Sequence, residues 1–96
     1  MAPTTVVRND SIPAIKSGEM SNDYATDANP IIDTGLSVVQ SCVITTATAT
    51  GVELTPIILT TLPSAGGQVE IELITEAGNA LATGTEAVYF IAGGVA

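Results

Sequence analysis

Val, Ile, Leu and Thr dominate the chain from residue 31 onward, and glycine or proline interrupts them at short intervals. β-Branched side chains lose rotamer freedom in a helix but pack well on a pleated sheet, so this composition favours strands. No window carries an apolar stripe of helical spacing and useful length. We therefore predict an all-β fold, a small antiparallel β-sandwich or barrel of about six strands, because the loops are too short for crossover helices.

The segment 68–75 shows the clearest alternation. Val69, Ile71 and Leu73 are separated by polar or acidic residues. Successive side chains of a strand point to opposite faces, so this pattern predicts a half-buried strand with an acidic outer face. The following residues 76–79 contain a glycine and an asparagine, either of which can adopt positive φ, and they predict a hairpin turn.

The other predicted strands cover residues 31–34, 38–48, 52–62, 80–83 and 85–92. Pro56 lacks a donor N–H, so it places its strand at a sheet edge or at a bulge. The glycine-containing stretch 63–67 predicts a loop. In the last strand, Tyr89 and Ile91 share one face while Val88 and Phe90 share the other. Both faces are thus partly apolar. This pattern predicts a strand that is central in its sheet or that is covered by a partner molecule.

Residues 1–30 are polar and irregular, and they contain three of the five prolines. We predict that they form an extended N-terminal arm and that residues 31–96 form the β-sandwich domain. Pro13 excludes its neighbours from a central strand. Isolated apolar residues along the arm, including Met20 and Tyr24, are suited to pockets on a neighbouring molecule. The alternative for this segment is a disordered tail.

The charge balance excludes several partners. The formal net charge is −8, with 2 basic and 10 acidic residues. Such a surface repels phosphate, so we expect neither nucleic acid nor anionic membranes as partners. The start of the chain has no basic and apolar leader pattern, and no segment approaches the roughly eighteen apolar residues of a membrane helix. We expect synthesis in the cytoplasm.

Hydrophobic residues make up 46% of the chain, whereas aromatic residues make up 3%. Aliphatic side chains bury less area than Phe or Trp, and a chain of this length has a small core. A monomer is therefore expected to be only moderately stable. Burial against further copies of the chain or against a larger partner would add stability, which suggests a homo-oligomer.

The residues offer little chemistry for catalysis. The chain has no histidine, and Cys42 is its one cysteine. These facts exclude Cys/His zinc sites and the common histidine-dependent nucleophile systems. Glu70 and Glu72 share a strand face, but a solvated face explains them better than a catalytic pair does. We predict no enzymatic activity, no cofactor and no metal.

Two further features have alternative interpretations. Cys42 lies in an apolar run and is interpreted as a small buried hydrophobe; a reactive thiol is the alternative, but no basic residue lies nearby in sequence to activate it. An acidic cluster surrounds Pro30 and is interpreted as turn-capping residues, with a calcium site as the alternative. Its members are Asp23, Asp27, Asn29 and Asp33.

Three short motifs suggest a family. They are Ile32-Asp33-Thr34-Gly35-Leu36-Ser37, the strand that begins Gly67-Gln68-Val69-Glu70-Ile71, and the closing stretch Gly84-Thr85-Glu86-Ala87-Val88-Tyr89-Phe90-Ile91-Ala92-Gly93-Gly94. Together, over roughly residues 31–94, they resemble small phage virion proteins in which similar opening and closing motifs bracket a β domain. The N-terminal 30 residues lie outside this resemblance.

The resemblance implies a capsid decoration, or cement, protein that binds the outside of a phage head and stabilises the shell. Its partners would be the major capsid protein and copies of itself, and its location would be the virion surface. The predicted contact residues are Val6, Val7, Ile12 and Ile15 in the arm and Tyr89 and Ile91 in the domain. The alternatives are a carbohydrate- or cell-surface-binding β module and a component of the tail or head–tail connector.

Overall fold

The computed structural model describes residues 14–46 and 53–96, and these residues form seven strands and no helix. The strands are β1 (Ala14–Asp23), β2 (Ile31–Asp33), β3 (Val38–Thr46), β4 (Leu54–Ile58), β5 (Ser64–Ala65), β6 (Gln68–Thr75) and β7 (Thr85–Val95). The all-β prediction is confirmed. The described residues contain no helix, and therefore none that is long and apolar enough to cross a membrane.

The strands form two antiparallel sheets that pack as a sandwich. The larger sheet has the order β1-β7-β3-β5, and the smaller sheet has the order β2-β6-β4. β7 is therefore central, as its two partly apolar faces predict. Pro56 lies in β4, at an edge of the smaller sheet, which agrees with its missing N–H donor.

The core lies between the sheets and is mostly aliphatic. The inward residues of β6 are fully buried, so the alternation predicted for 68–75 is confirmed. Phe90 of β7 faces Gly18 of β1, where an added Cβ would lie 3.0 Å from the phenyl Cε1 atom. A side chain at residue 18 would displace this ring. The core residues are Tyr24, Ile32, Leu36, Val39, Leu54, Val69, Ile71, Leu73, Val88, Phe90 and Ala92.

The predicted N-terminal arm is wrong for the part that the structure describes. Ala14–Asp23 is not an extended arm but the edge strand β1, which pairs with β7 from Ala14↔Gly94 to Asp23↔Thr85. The polar side chains of this segment hide the strand in the sequence, because an edge strand buries few of them. Tyr24 is 1% exposed and belongs to the core of its own domain, so its assignment to a neighbour's pocket is wrong.

Three smaller predictions also need correction. Residues 80–83 do not form a strand; they contribute one bridge, between Ile74 and Ala80. The loop predicted over 63–67 contains the short strand β5, which pairs with β3. β7 continues through Gly93 and Gly94 to Val95, because Gly94 packs directly against the backbone of Val38. Over residues 14–46 and 53–96 the strands number seven, in line with the six or so that the sequence predicts.

A buried junction joins the end of β2 to the turn before β6. The backbone N–H of Thr34 donates to the Gly67 carbonyl at 3.0 Å, and the Thr34 hydroxyl donates to the same oxygen at 2.6 Å. Gly67 has φ +72°, and a Cβ there would collide with the carbonyl oxygen of Leu36. Only glycine fits this position, for both conformational and steric reasons.

Gly67→Ala is expected to cost about 3 kcal/mol or more of unfolding free energy, because it combines left-handed strain with a backbone collision. Gly78→Ala is the matched control. Gly78 has φ +86° but open space around it, so its substitution is expected to cost only about 1–2 kcal/mol. Urea denaturation of both variants measures the difference. Equal losses would show that the junction tolerates a side chain.

Candidate partner-binding surface

The outward side of β7 forms the centre of an exposed apolar surface. Val88, Phe90 and Ala92 point into the core, so Tyr89 and Ile91 point away from it. The two outward side chains are 48% and 58% exposed, respectively. Single exposed apolar residues are common on protein surfaces, so this pair is informative only if further apolar side chains lie beside it.

Strand pairing brings further apolar residues beside this pair. Ile91 is opposite Val43 of β3 and opposite Ser17 of β1. Gly93, one position along the same face, is opposite Ile15 of β1. Directly opposite residues of an antiparallel pair share a face, with Cβ atoms about 5 Å apart. Ile15 and Val43 are 74% and 61% exposed, respectively, and they extend the surface across three strands.

We call the surface formed by Ile15, Val43, Tyr89 and Ile91 the apolar face. Its border is polar: Ser17 lies beside Ile91, and Tyr89 has Glu19 on one side and Thr45 on the other. The four residues together expose on the order of 400–500 Å², within the range of the largest apolar patch of a typical monomer, a patch that is often functional. A charge-poor apolar surface of this kind is a candidate for contact with another macromolecule.

The structure brings together three of the six predicted contact residues. Ile15, predicted as an arm anchor, lies on the same face as Tyr89 and Ile91. Val6, Val7 and Ile12 lie outside the described residues. Sequence reasoning missed Val43, because it lies in a run where both faces are apolar and only the pairing with β7 shows which face is open.

The outer side of the smaller sheet has a different character. Asp33, Glu70 and Glu72 lie on it, since their strand neighbours Ile32, Val69, Ile71 and Leu73 are buried. We call this surface the acidic face. Ile31 is opposite Glu70 and Ile57 is opposite Glu72, so two exposed aliphatic residues are placed among the carboxylates. The two outer faces of the sandwich therefore differ in charge.

The acidic cluster around Pro30 caps turns, as the sequence predicts. The backbone N–H of Ala25 donates to Asp23 Oδ1 at 3.0 Å, and that of Asn29 donates to Asp27 Oδ1 at 3.0 Å. The N–H of Gly35 donates to Asp33 Oδ1 at 3.2 Å. Over residues 14–46 and 53–96, the structure shows no group of three or more metal-ligating side chains and no pocket.

Cys42 and Tyr24 are the two titratable groups that burial perturbs most clearly. Cys42 is partly buried against the core, and burial raises the pKa of its thiol. The Tyr24 hydroxyl is buried and has no hydrogen-bond partner of good geometry among the described residues, although the Asn22 side chain lies near enough to act on its pKa in the lowering direction. Burial raises the pKa of Tyr24, and the nearby carboxylate of Glu86 raises it further. Both groups are therefore held more firmly in their neutral forms.

Comparisons of the chain with family models, with curated proteins and with solved structures give no match. The resemblance to phage virion proteins thus stays a prediction from the three motifs. The class of protein that the fold and surface define is a small β-sandwich with one exposed apolar sheet face.

Tyr24→Phe is expected to raise the unfolding free energy by about 1 kcal/mol near pH 7, because it removes an unpaired buried hydroxyl and keeps the ring. The gain is expected to grow above about pH 10. There the unfolded state releases the tyrosine proton first, so the wild type loses stability as pH rises, whereas the variant lacks this loss. Denaturant titrations at several pH values measure both effects.

Tyr89→Phe is the matched control for this experiment. Its hydroxyl is on an exposed residue, so the variant is expected to stay within about 0.5 kcal/mol of the wild type near pH 7. A Tyr24→Phe variant that is less stable than the wild type near neutrality would show that the buried hydroxyl has a stabilising partner.

Proposed function

We propose that this protein is a non-catalytic structural component of a phage virion, a capsid decoration protein that binds the outside of the head. The observation that carries the proposal is the apolar face, because it provides a contact surface built on a rigid sheet. The three sequence motifs that resemble phage virion proteins supply the kind of assembly. A major capsid protein and further copies of the chain would be its partners.

The residues of the opening motif support the fold rather than the contact. Thr34 closes the buried junction with Gly67, and Gly35 has φ +81°, which favours glycine. In the closing motif, Gly94 allows β7 to approach the backbone of β3. These motif residues therefore meet backbone requirements of this fold, while Tyr89 and Ile91 supply the surface for recognition.

The charge distribution suits the exterior of a DNA-filled head. A net charge of −8 gives no attraction to the packaged genome. The acidic face, on the opposite side of the sandwich from the apolar face, is suited to water. In this arrangement the apolar face is covered in the assembled particle and the acidic face stays solvated.

Shell stabilisation follows from binding to the assembled state. A protein that binds the lattice but not its dissociated subunits shifts the equilibrium toward the lattice by mass action. Attachment at many equivalent positions, or through more than one contact per copy, strengthens the effect through effective concentration. No catalytic group is required for this role.

The N-terminal segment supplies the second proposed contact. β1 begins at Ala14, at the edge of the larger sheet and next to Ile15 of the apolar face. Residues before it therefore join the domain beside that face. We propose that Val6, Val7 and Ile12 anchor this segment on a neighbouring capsid subunit, where an extended chain is able to add to an exposed sheet edge.

The test is co-purification with virus particles from the source organism. The protein is expected to sediment with DNA-filled heads in many copies per particle, and heads that lack it are expected to release DNA at a lower temperature. A few copies confined to the tail or to one vertex would favour the connector alternative. Absence from particles would contradict the proposal, and selective binding on a glycan array would favour a carbohydrate-binding module.

The arm contact is tested by substitution in the full-length chain. Val6→Ser with Val7→Ser is expected to weaken attachment to heads at least about tenfold, since two apolar anchors are lost. Thr4→Ser with Thr5→Ser is the matched control and is expected to bind normally. Removal of residues 1–30 is not suitable, because it also deletes β1 and the core residue Tyr24. Unchanged attachment of the valine variant would contradict the anchor role.

A further inference from the structure

The charge distribution around the apolar face indicates what kind of molecule covers it. Among the described residues adjacent to its four side chains on the same face, the one charged residue is Glu19. The rest of the border is serine, threonine, alanine and glycine. Depletion of charge at the centre of a surface, within a polar rim, is the composition that distinguishes protein interfaces from other surface.

We propose that the apolar face binds the same face of a second copy of this chain. Two acidic molecules repel each other wherever their carboxylates are opposed, so a self-contact must use a surface with few charges. The acidic face does not meet this condition, because Asp33, Glu70 and Glu72 would face their own copies. A basic partner, in contrast, would favour the acidic face.

The shape of the apolar face agrees with a two-fold contact. Val43 is directly opposite Ile91, whereas Ile15 lies two positions along, opposite Gly93, which leaves a gap beside Ile91 because it has no side chain. In a two-fold contact the same patch is present on both molecules, which allows a protruding side chain of one copy to enter the corresponding gap of the other. Aliphatic side chains interdigitate in this way when sheets stack about 10 Å apart.

The available area is also sufficient. The four apolar residues expose on the order of 400–500 Å², about half of the roughly 800 Å² per partner of a standard interface, and their exposed serine and threonine border adds to this area. The contact is thus large enough for a reversible dimer and too small for an obligate one. The inference goes beyond the virion role and does not require it, because it concerns the purified protein alone.

Sedimentation velocity of the purified full-length chain over a range of concentrations tests the proposal. The wild type is expected to change from monomer to dimer as its concentration rises, with a dissociation constant on the order of micromolar. Association is expected to become stronger when sodium chloride is raised, since salt screens the repulsion between two acidic molecules. A wild type that stays monomeric up to its solubility limit would overturn the proposal.

Ile91→Glu is expected to weaken the dimer at least about tenfold, since each dimer then contains two central carboxylates. Ile57→Glu is the matched control on the acidic face, where Ile57 is 41% exposed, and it is expected to have a much smaller effect. Circular dichroism verifies that both variants fold. If Ile91→Glu does not fold, Ile15→Ser on the edge strand is used, with the same expected direction. Equal weakening on both faces would contradict the assignment.

A second pair of variants separates local charge from net charge. Glu19→Gln and Glu72→Gln each remove one negative charge, but only Glu19 borders the apolar face. Glu19→Gln is expected to strengthen the dimer several-fold more than Glu72→Gln does. An equal response would show that net charge, rather than this face, controls association. If the protein dimerises as proposed but does not attach to particles, the virion role fails and this interface stands.

Discussion

The pairing of β7 with both β1 and β3 is the constraint on which the rest of the structure depends. It extends along almost the whole of the longest strand and sets the register of the larger sheet. Because a strand has a period of two residues, this one register buries Val88, Phe90 and Ala92 and leaves Tyr89 and Ile91 outside. A shift by one residue would exchange the core and the contact surface.

The aromatic part of the core is small, and its packing depends on the absence of a side chain at Gly18. Phe90 and Tyr24 are the two aromatic members of the core, and the Phe90 ring occupies space that any side chain at Gly18 would take. The remaining core residues are aliphatic, so apolar burial per residue is modest. A sandwich of this kind gains stability from further burial, and its open apolar face supplies the area for it.

The two outer faces of the sandwich differ in charge and in apolar exposure, and this difference bears on function. Strand alternation places Glu70 and Glu72 on one of them, whereas the other presents Ile15, Val43 and Ile91 with little charge nearby. This asymmetry favours a molecule that is covered on one side and solvated on the other. It agrees with attachment to a larger assembly and with pairing between copies, because both require one face to leave water.

The sequence by itself determined the strand-rich class, the buried side of β6 and the turn-capping role of Asp23, and it limited Pro56 to a sheet edge or a bulge. These features are local, since they depend on residues a few positions apart. Only the tertiary structure decided that the polar segment 14–23 is a strand, that Tyr24 is buried, and that Ile15 and Val43 lie beside Ile91. Strand partners are distant in sequence, and the alternation within one strand carries no information about which strand lies next to it.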